Sequence, residues 1–252
     1  VDSSSSPMSI AAWMKGHNQH HVHTDVQNLD PDMHHNPWLI RLHGGIPWTP
    51  FHLFQLPFFL SQVPTAMWGQ TLYYHGLFDP LKGRDSRFFM PDMSWPDYFK
   101  RVKNMLKESS NHVAKDYVFY PALAGPLFGK VLAGNVLAES LASVWIGMVV
   151  FGTHYGANDG SDDDAFFADK AENKAEWYLR QFTCTTDIKL PKIFDHQTGA
   201  LNLHVCHHLF PALPPNRLIS VKPKVKALCE EYGVPFKEQG VVQVYGNIVK
   251  RL

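Results

Sequence analysis

The feature that most constrains this chain is a histidine pattern that occurs twice. His-x-x-His-His is found as His17-Asn18-Gln19-His20-His21 and again as His204-Val205-Cys206-His207-His208, 187 residues later. Positions i, i+3 and i+4 share one face of a helix, so each copy projects three imidazoles in one direction. Three neutral imidazoles at one spot form a metal site or a cluster that repels itself once protonated, and the repetition favours the metal. Imidazole suits zinc, iron, copper and nickel alike, so ligand type alone does not choose the ion. If both triplets serve one centre, the fold must bring the two ends of the 252-residue chain together.

Composition removes several classes of function. The 23 Lys and Arg balance 23 Asp and Glu, and no basic stripe stands out, which removes the electrostatic case for a nucleic-acid partner. Three Cys, none in a C-x-x-C pair, exclude a disulfide framework and a Cys-based zinc module, and fit a reducing compartment. A hydrophobic content of 45% excludes disorder. Mean hydropathy of −0.20 argues against a bundle of spans filling the chain, but leaves room for a few. The chain opens Val-Asp-Ser-Ser-Ser-Ser without an initiator Met or a signal-peptide core, so the native start is expected upstream.

Residues 1–9 read as a disordered Ser-rich lead. The stretch 45–77 is aromatic but carries Pro47, Pro50, Pro57 and Pro64, which suits an interfacial segment better than a span. Residues 78–116 form a polar insert with a helical pattern around Asp97–Ser109. The longest apolar region, 117–153, is interrupted only by Lys130, Asn135 and Glu139. It has the length of a two-span transmembrane hairpin turning at Gly134-Asn135, with Glu139 costly unless it sits near an end or pairs; a buried soluble hairpin is the alternative. Residues 156–180 are acidic and solvent-facing. The tail, 217–252, reads as a cap of a Lys-rich helix (Val221–Tyr232), a Gly-Val-Pro turn and an amphipathic helix.

Both triplets can meet only on one side of a membrane, so an even number of crossings separates them. The second span then ends on that side at His154, which joins the candidate ligands. His23 faces away from the first triplet, His34 and His35 follow a turn and read as surface residues, and His43, His52, His75, His112 and His196 are isolated and read as structural. Seven imidazoles exceed the needs of one ion, so two ions are expected. The triplets lack the carboxylates of Glu-rich di-iron bundles, and no His-Glu-x-x-His motif marks a hydrolytic zinc. An all-His pair of redox metals beside a membrane points to O₂ activation against an apolar substrate.

Trp13-Met14-Lys15-Gly16 ahead of the first triplet, with Thr24 and Asp30-Pro31-Asp32 after it, resembles the second histidine box of the membrane fatty acid desaturase superfamily, most closely the front-end acyl desaturases. The run Phe194–Pro211 resembles the third box (204–208 here), and Thr185-Thr186-Asp187-Ile188 and Leu228–Gly233 match the same style. The resemblance covers residues 10–252. Two departures stand out. The third box begins with His204 where front-end enzymes usually have Gln, so regioselectivity is not implied. A first box of His-Asp-x-x-His type and a cytochrome b5 domain with His-Pro-Gly-Gly do not occur in these residues, so the chain is expected to be an N-terminally truncated piece.

The resemblance implies an all-α membrane desaturase-like bundle, with an interfacial helix, a transmembrane hairpin and a cytosolic His-rich cap. It implies two non-haem irons held by His17, His20, His21, His154, His204, His207 and His208, with O₂ as co-substrate and electrons from cytochrome b5 or ferredoxin. The product is a cis double bond in a lipid acyl chain, made in the endoplasmic reticulum or a plastid membrane with the boxes on the cytosolic side. Asn202, Asp187 and Asp32 are expected to orient imidazoles by hydrogen bonds, with turn or capping roles left open at each. The polar segments read as solvated elements, a docking face for the electron donor being the alternative. A hydroxylase-type oxygenase needs the same ligands. A non-catalytic metal-binding membrane remnant holding zinc is the reading from another class.

Overall fold

The computed structural model describes residues 7, 10–26, 29–34, 40–41, 47–75, 77, 94–158, 167 and 171–252. The lead 1–9 apart from Pro7, the insert between 78 and 93, and the acidic residues 159–166 lie outside them. The described chain is all-α. Its helices are α1 (Ile10–Val22), α2 (Gln55–Gln62), α3 (Ala66–Tyr74), α4 (Trp95–His112), α5 (Tyr120–Leu123), α6 (Phe128–Tyr155), α7 (Lys174–Cys184), α8 (Ile193–Gln197), α9 (His204–Leu209), α10 (Pro215–Tyr232) and α11 (Val241–Arg251). Two three-residue strands, β1 (Asp187–Lys189) and β2 (Glu238–Gly240), pair in parallel with Asp187 opposite Glu238. The chain divides into two compact units, Val1–Asn18 with Pro57–Trp145 and Gln19–Leu56 with Ile146–Leu252.

In the first unit, α4 begins at Ser94, whose hydroxyl accepts from the Asp97 backbone N–H at 3.3 Å. It continues through a π-helical stretch, Val113–Phe119, into α5. The chain then turns over Ala124–Leu127 and returns as α6. Side chains tie the two arms: Asn135 Nδ2 donates to the Asp116 carbonyl at 2.6 Å, and the Tyr117 hydroxyl donates to the Glu139 carboxylate. His112 Nε2 lies 3.5 Å from the same carboxylate. Ascending numbers on one arm meet descending numbers on the other, so the arms are antiparallel.

The turn is therefore not at Gly134-Asn135, where the sequence placed it; α6 runs straight through that pair. Gly125 takes the left-handed conformation at φ 54°, which few residues other than Gly adopt cheaply, and Pro126 follows it. Asn135 is spent on the opposite arm and does not turn the chain. Gly125–Tyr155 has mean hydropathy 1.6 and is long enough to cross a membrane, the one such helix among the described residues. Glu139 lies within it, and Tyr117 and His112 supply the partners that an acid in such a helix requires.

The second unit holds the main described core, built where α9 and the loop before it pack on α10: Ala200, Leu203, Val205, Cys206, Leu209, Leu218, Val225 and Cys229. Helix α10 ends at Gly233 in the left-handed conformation, a common helix stop. The end of α6 is pressed against α11. A Cβ on Gly156 would lie 2.6 Å from Val244 Cγ1 and 2.8 Å from the Val244 carbonyl oxygen. Gly156→Ala should therefore destabilise the unit by about 1–3 kcal/mol through overpacking, read as a lowered thermal midpoint. Gly134→Ala, with open space around that position, should leave the midpoint unchanged or raise it.

Candidate metal centre

Helical phase brings the predicted side chains to one place in the second unit. His20 lies in the last turn of α1, His154 in the last turn of α6, and His204 and His208 one turn apart on α9. Their Nε2 atoms converge. That of His154 is 2.8 Å from His204 Nε2 and 3.2 Å from both His20 Nε2 and His208 Nε2. Ligand atoms of His20, His154 and His208 all lie within 4.8 Å of one another.

The opposite edges of three rings are held by acceptors. His20 Nδ1 donates to the Asp30 carboxylate at 2.9 and 3.0 Å, and His204 Nδ1 to the Leu201 carbonyl at 3.0 Å. His208 Nδ1 donates to Gln181 Oε1 at 3.0 Å. The amide of Gln181 is itself oriented, since its Nε2 donates to the Trp177 carbonyl at 3.2 Å and the Thr24 hydroxyl donates to its Oε1 at 3.0 Å. Asp30 also accepts from the backbone N–H groups of Asp25 at 2.7 Å and Asp32 at 2.8 Å. With the proton on Nδ1 of each ring alone, the state that a bound ion would require of His20 as well, three Nε2 lone pairs point at His154.

That arrangement fits a metal ion. One proton on His154 would satisfy one of the three lone pairs and leave the others opposed. An ion about 2.1 Å from each nitrogen, the usual bond to imidazole, tolerates neighbouring nitrogens about 3 Å apart. A backbone carbonyl, a carboxylate and an amide behind these rings are the supports that metal-bound His normally has. The local field agrees. Burial lowers the affinity of His20 for a proton, yet Asp30 and Asp32 outweigh it and hold the ring at about 9, so this spot favours a positive charge. Burial, aided by neighbouring imidazoles, pushes His204 and His208 well below the usual value and His207 down to about 4, keeping them neutral as ligands must be.

His21 and His207 form an adjoining pair, with ring centroids 4.7 Å apart, and His21 lies 4.3 Å from His208. Trp177 Nε1 donates to the His21 carbonyl at 3.2 Å, fixing the end of α1. His17 falls in the first unit, one turn before His21 on the same helix, and its ring stacks on Trp13 at 4.4 Å. Of the three polar supports read from the sequence, Asp32 Oδ2 comes within 3.7 Å of His20 Nδ1. Asp187 instead accepts from the Val205 backbone N–H at 3.0 Å and pairs with Lys222 at 2.9 Å, anchoring the first turn of α9. Asn202 donates to Asp195 at 2.8 Å and accepts from Thr198 at 2.6 Å, bracing the loop before α9. Asp30, Gln181 and Thr24 carry the ring contacts that the sequence reading did not assign. Asp30 had a signal in the Asp-Pro-Asp turn after the first triplet; Gln181, on an ordinary amphipathic helix, had none.

Asp30→Asn should lower metal affinity by about 10–100-fold, measured as ions retained per chain after dialysis against a weak chelator. The metal-free chain should also show a stability maximum close to pH 6.5 in denaturant titrations with chelator present. Between 6.5 and about 4 the folded chain binds fewer protons at His204, His207 and His208 than the unfolded chain, so stability falls with falling pH. Asp25 and Asp187, raised by burial to about 8 and about 6, oppose this with two protons against three. Above 6.5, His20 and Asp25 both hold protons that the unfolded chain has lost, so stability falls as pH rises.

The chain is similar in sequence to known proteins over most of its length. The family described as fatty acid desaturase matches residues 5–240. The chain is 26% identical over 247 residues to the NADPH-dependent stearoyl-CoA 9-desaturase of Mycobacterium tuberculosis, covering 95% of this chain and 55% of that protein. It is 24% identical to the mouse fatty acid desaturase 2-like protein FADS2B, covering 97% and 46%, and 25% identical to the acyl-lipid 8-desaturase of Rebecca salina, covering 97% and 51%. The chain thus spans about half the length of these curated relatives. No solved structure matches it. With the match extending over both histidine triplets and His154, the chain belongs to the fatty acid desaturase family.

Proposed function

We propose that this chain carries the second and third histidine boxes of an O₂-dependent acyl-lipid desaturase, and that the whole protein converts two adjacent methylenes of a fatty acyl chain into a cis double bond. The balance is a –CH₂–CH₂– unit, O₂, two electrons and two protons giving –CH=CH– and two waters. The observation that carries the reading is the meeting of three imidazole nitrogens, from α1 and α9, on the Nε2 of His154 at the end of α6.

His20, His154, His204 and His208 would hold one iron, and His21 and His207, with His17 one turn before His21, would serve a second. Iron bound there would supply the O₂ activation. The remaining work falls to the chain. Asp30, the Leu201 carbonyl and Gln181 fix the ring planes, so the nitrogens would keep their positions around a bound ion. Burial of His20, His204 and His208 keeps bulk water from the reactive atoms. Placement of the acyl chain, a matter of orientation, decides which C–H bond is attacked.

A membrane position is supported by the family and by the span-length helix α6. The endoplasmic reticulum, with the boxes facing the cytosol and cytochrome b5 or ferredoxin giving the electrons, is the setting we infer from the front-end relatives.

His154→Ala in the full-length enzyme should abolish oxygen-dependent unsaturation, measured as acyl composition of a host that lacks the activity. Gln181→Leu should reduce it severalfold while the protein still accumulates. Retained double-bond formation in His154→Ala would remove the ligand assignment. A hydroxylated product would favour the oxygenase reading, and a purified protein holding zinc without iron the non-catalytic one.

A further inference from the structure

Helix α4 carries a surface that the metal chemistry does not use. At about 100° per residue, Trp95, Phe99, Val102 and Leu106 fall within an arc of about 60°. Trp95, Phe99 and Leu106 are 73%, 61% and 60% exposed. Lys103, Lys107 and Lys100 occupy the adjoining arc of about 60°, all exposed. The side packed into the first unit flanks the stripe on the edge away from the lysines, an arc of about 100° running from Glu108 and Arg101 round to Ser109. Ser109 is buried with its hydroxyl donating to the Pro7 carbonyl at 2.7 Å, Glu108 pairs with His75 at 3.1 Å, and Arg101 donates to the His75 carbonyl at 3.4 Å. The two acids of the helix lie beyond the lysines, Glu108 paired inward and Asp97 accepting from the Ser94 hydroxyl at 2.6 Å.

An apolar stripe that begins with Trp, flanked by a row of lysines free of interleaved acids, is the pattern of a helix lying in a membrane interface. The same helix continues without a break in helical structure into the hairpin arm that pairs with α6, the span-length helix. A water-facing role leaves the three large side chains unexplained. A neutral bilayer leaves the lysine row unexplained.

We propose that α4 is an interfacial helix that selects anionic phospholipid, with Trp95, Phe99 and Leu106 seated among acyl chains and Lys100, Lys103 and Lys107 on headgroup phosphates. The charge complementarity is one-sided: three cations face the lipid along one edge, and the acids are turned away. The inference is independent of which metal the histidines hold.

The test uses the full chain in phosphatidylcholine bilayers containing a minor fraction of brominated lipid, the Trp95 signal being isolated by difference from Trp95→Phe. Brominated phosphatidylglycerol should occupy the site about fivefold or more tightly than brominated phosphatidylcholine, the worth of one lysine near an anionic surface. The preference should shrink in high salt and vanish in the combined Lys100→Gln, Lys103→Gln, Lys107→Gln variant. Equal quenching by the two lipids would overturn the selectivity. Quenching by neither would show the stripe covered by protein, an acidic partner included, and would overturn the proposal outright.

Discussion

Everything at the candidate centre depends on what is done to the far nitrogen of each imidazole. A buried histidine with both nitrogens unassigned adopts either tautomer and turns about its own axis. Once Nδ1 is committed to Asp30, to the Leu201 carbonyl or to Gln181, tautomer and ring plane are settled together, and the Nε2 lone pair has one direction left. The supports come from different kinds of structure: a turn carboxylate, a backbone carbonyl one helical turn back, and an amide on α7. They set the convergence of lone pairs that would be repulsive in a merely structural cluster.

The supports are in turn fixed by the surrounding fold. Asp30 is held by two backbone N–H groups of its own loop. Gln181 is held by Trp177 one turn earlier and by Thr24, which follows the first triplet. Helix α9 is anchored at its first turn by Asp187, whose strand pairs with β2 and whose second oxygen meets Lys222 from α10. A change in any of these residues reaches the centre through one intermediate contact.

The sequence disclosed the histidines that converge and concealed the groups behind them, for a physical reason. A ligand set repeated at i, i+3 and i+4 is a periodic signal, and periodicity survives without tertiary information. His154 was singled out because a two-span hairpin would return to its starting side there, although a single span-length helix occurs among the described residues. The support of His208 by Gln181 joins two helices far apart along the chain, and nothing in the surrounding sequence announces it. Asp32 and Asp30 are equivalent in a one-dimensional reading of Asp-Pro-Asp. Only the closing of the loop decides that Asp30 faces the ring at hydrogen-bond distance and Asp32 stands behind it. The hairpin turn was misplaced by about nine residues because Gly-Asn and Gly-Pro are both turn signals, and the choice between them rests on where Asn135 finds its partner. The strands β1 and β2, three residues each, are too short to show any period.

The wide spacing of residues 20, 154, 204 and 208 also governs the order of events as the protein matures. No short segment of the unfolded chain offers more than a pair of these nitrogens, so an ion meeting the open polymer finds only weak local chelates. The loops that gather all four are long, and their closure entropy must be offset first by apolar contacts, such as those of α9 on α10. On the proposed reading, metal capture would therefore follow folding and not nucleate it, the four nitrogens being brought together by the polypeptide itself.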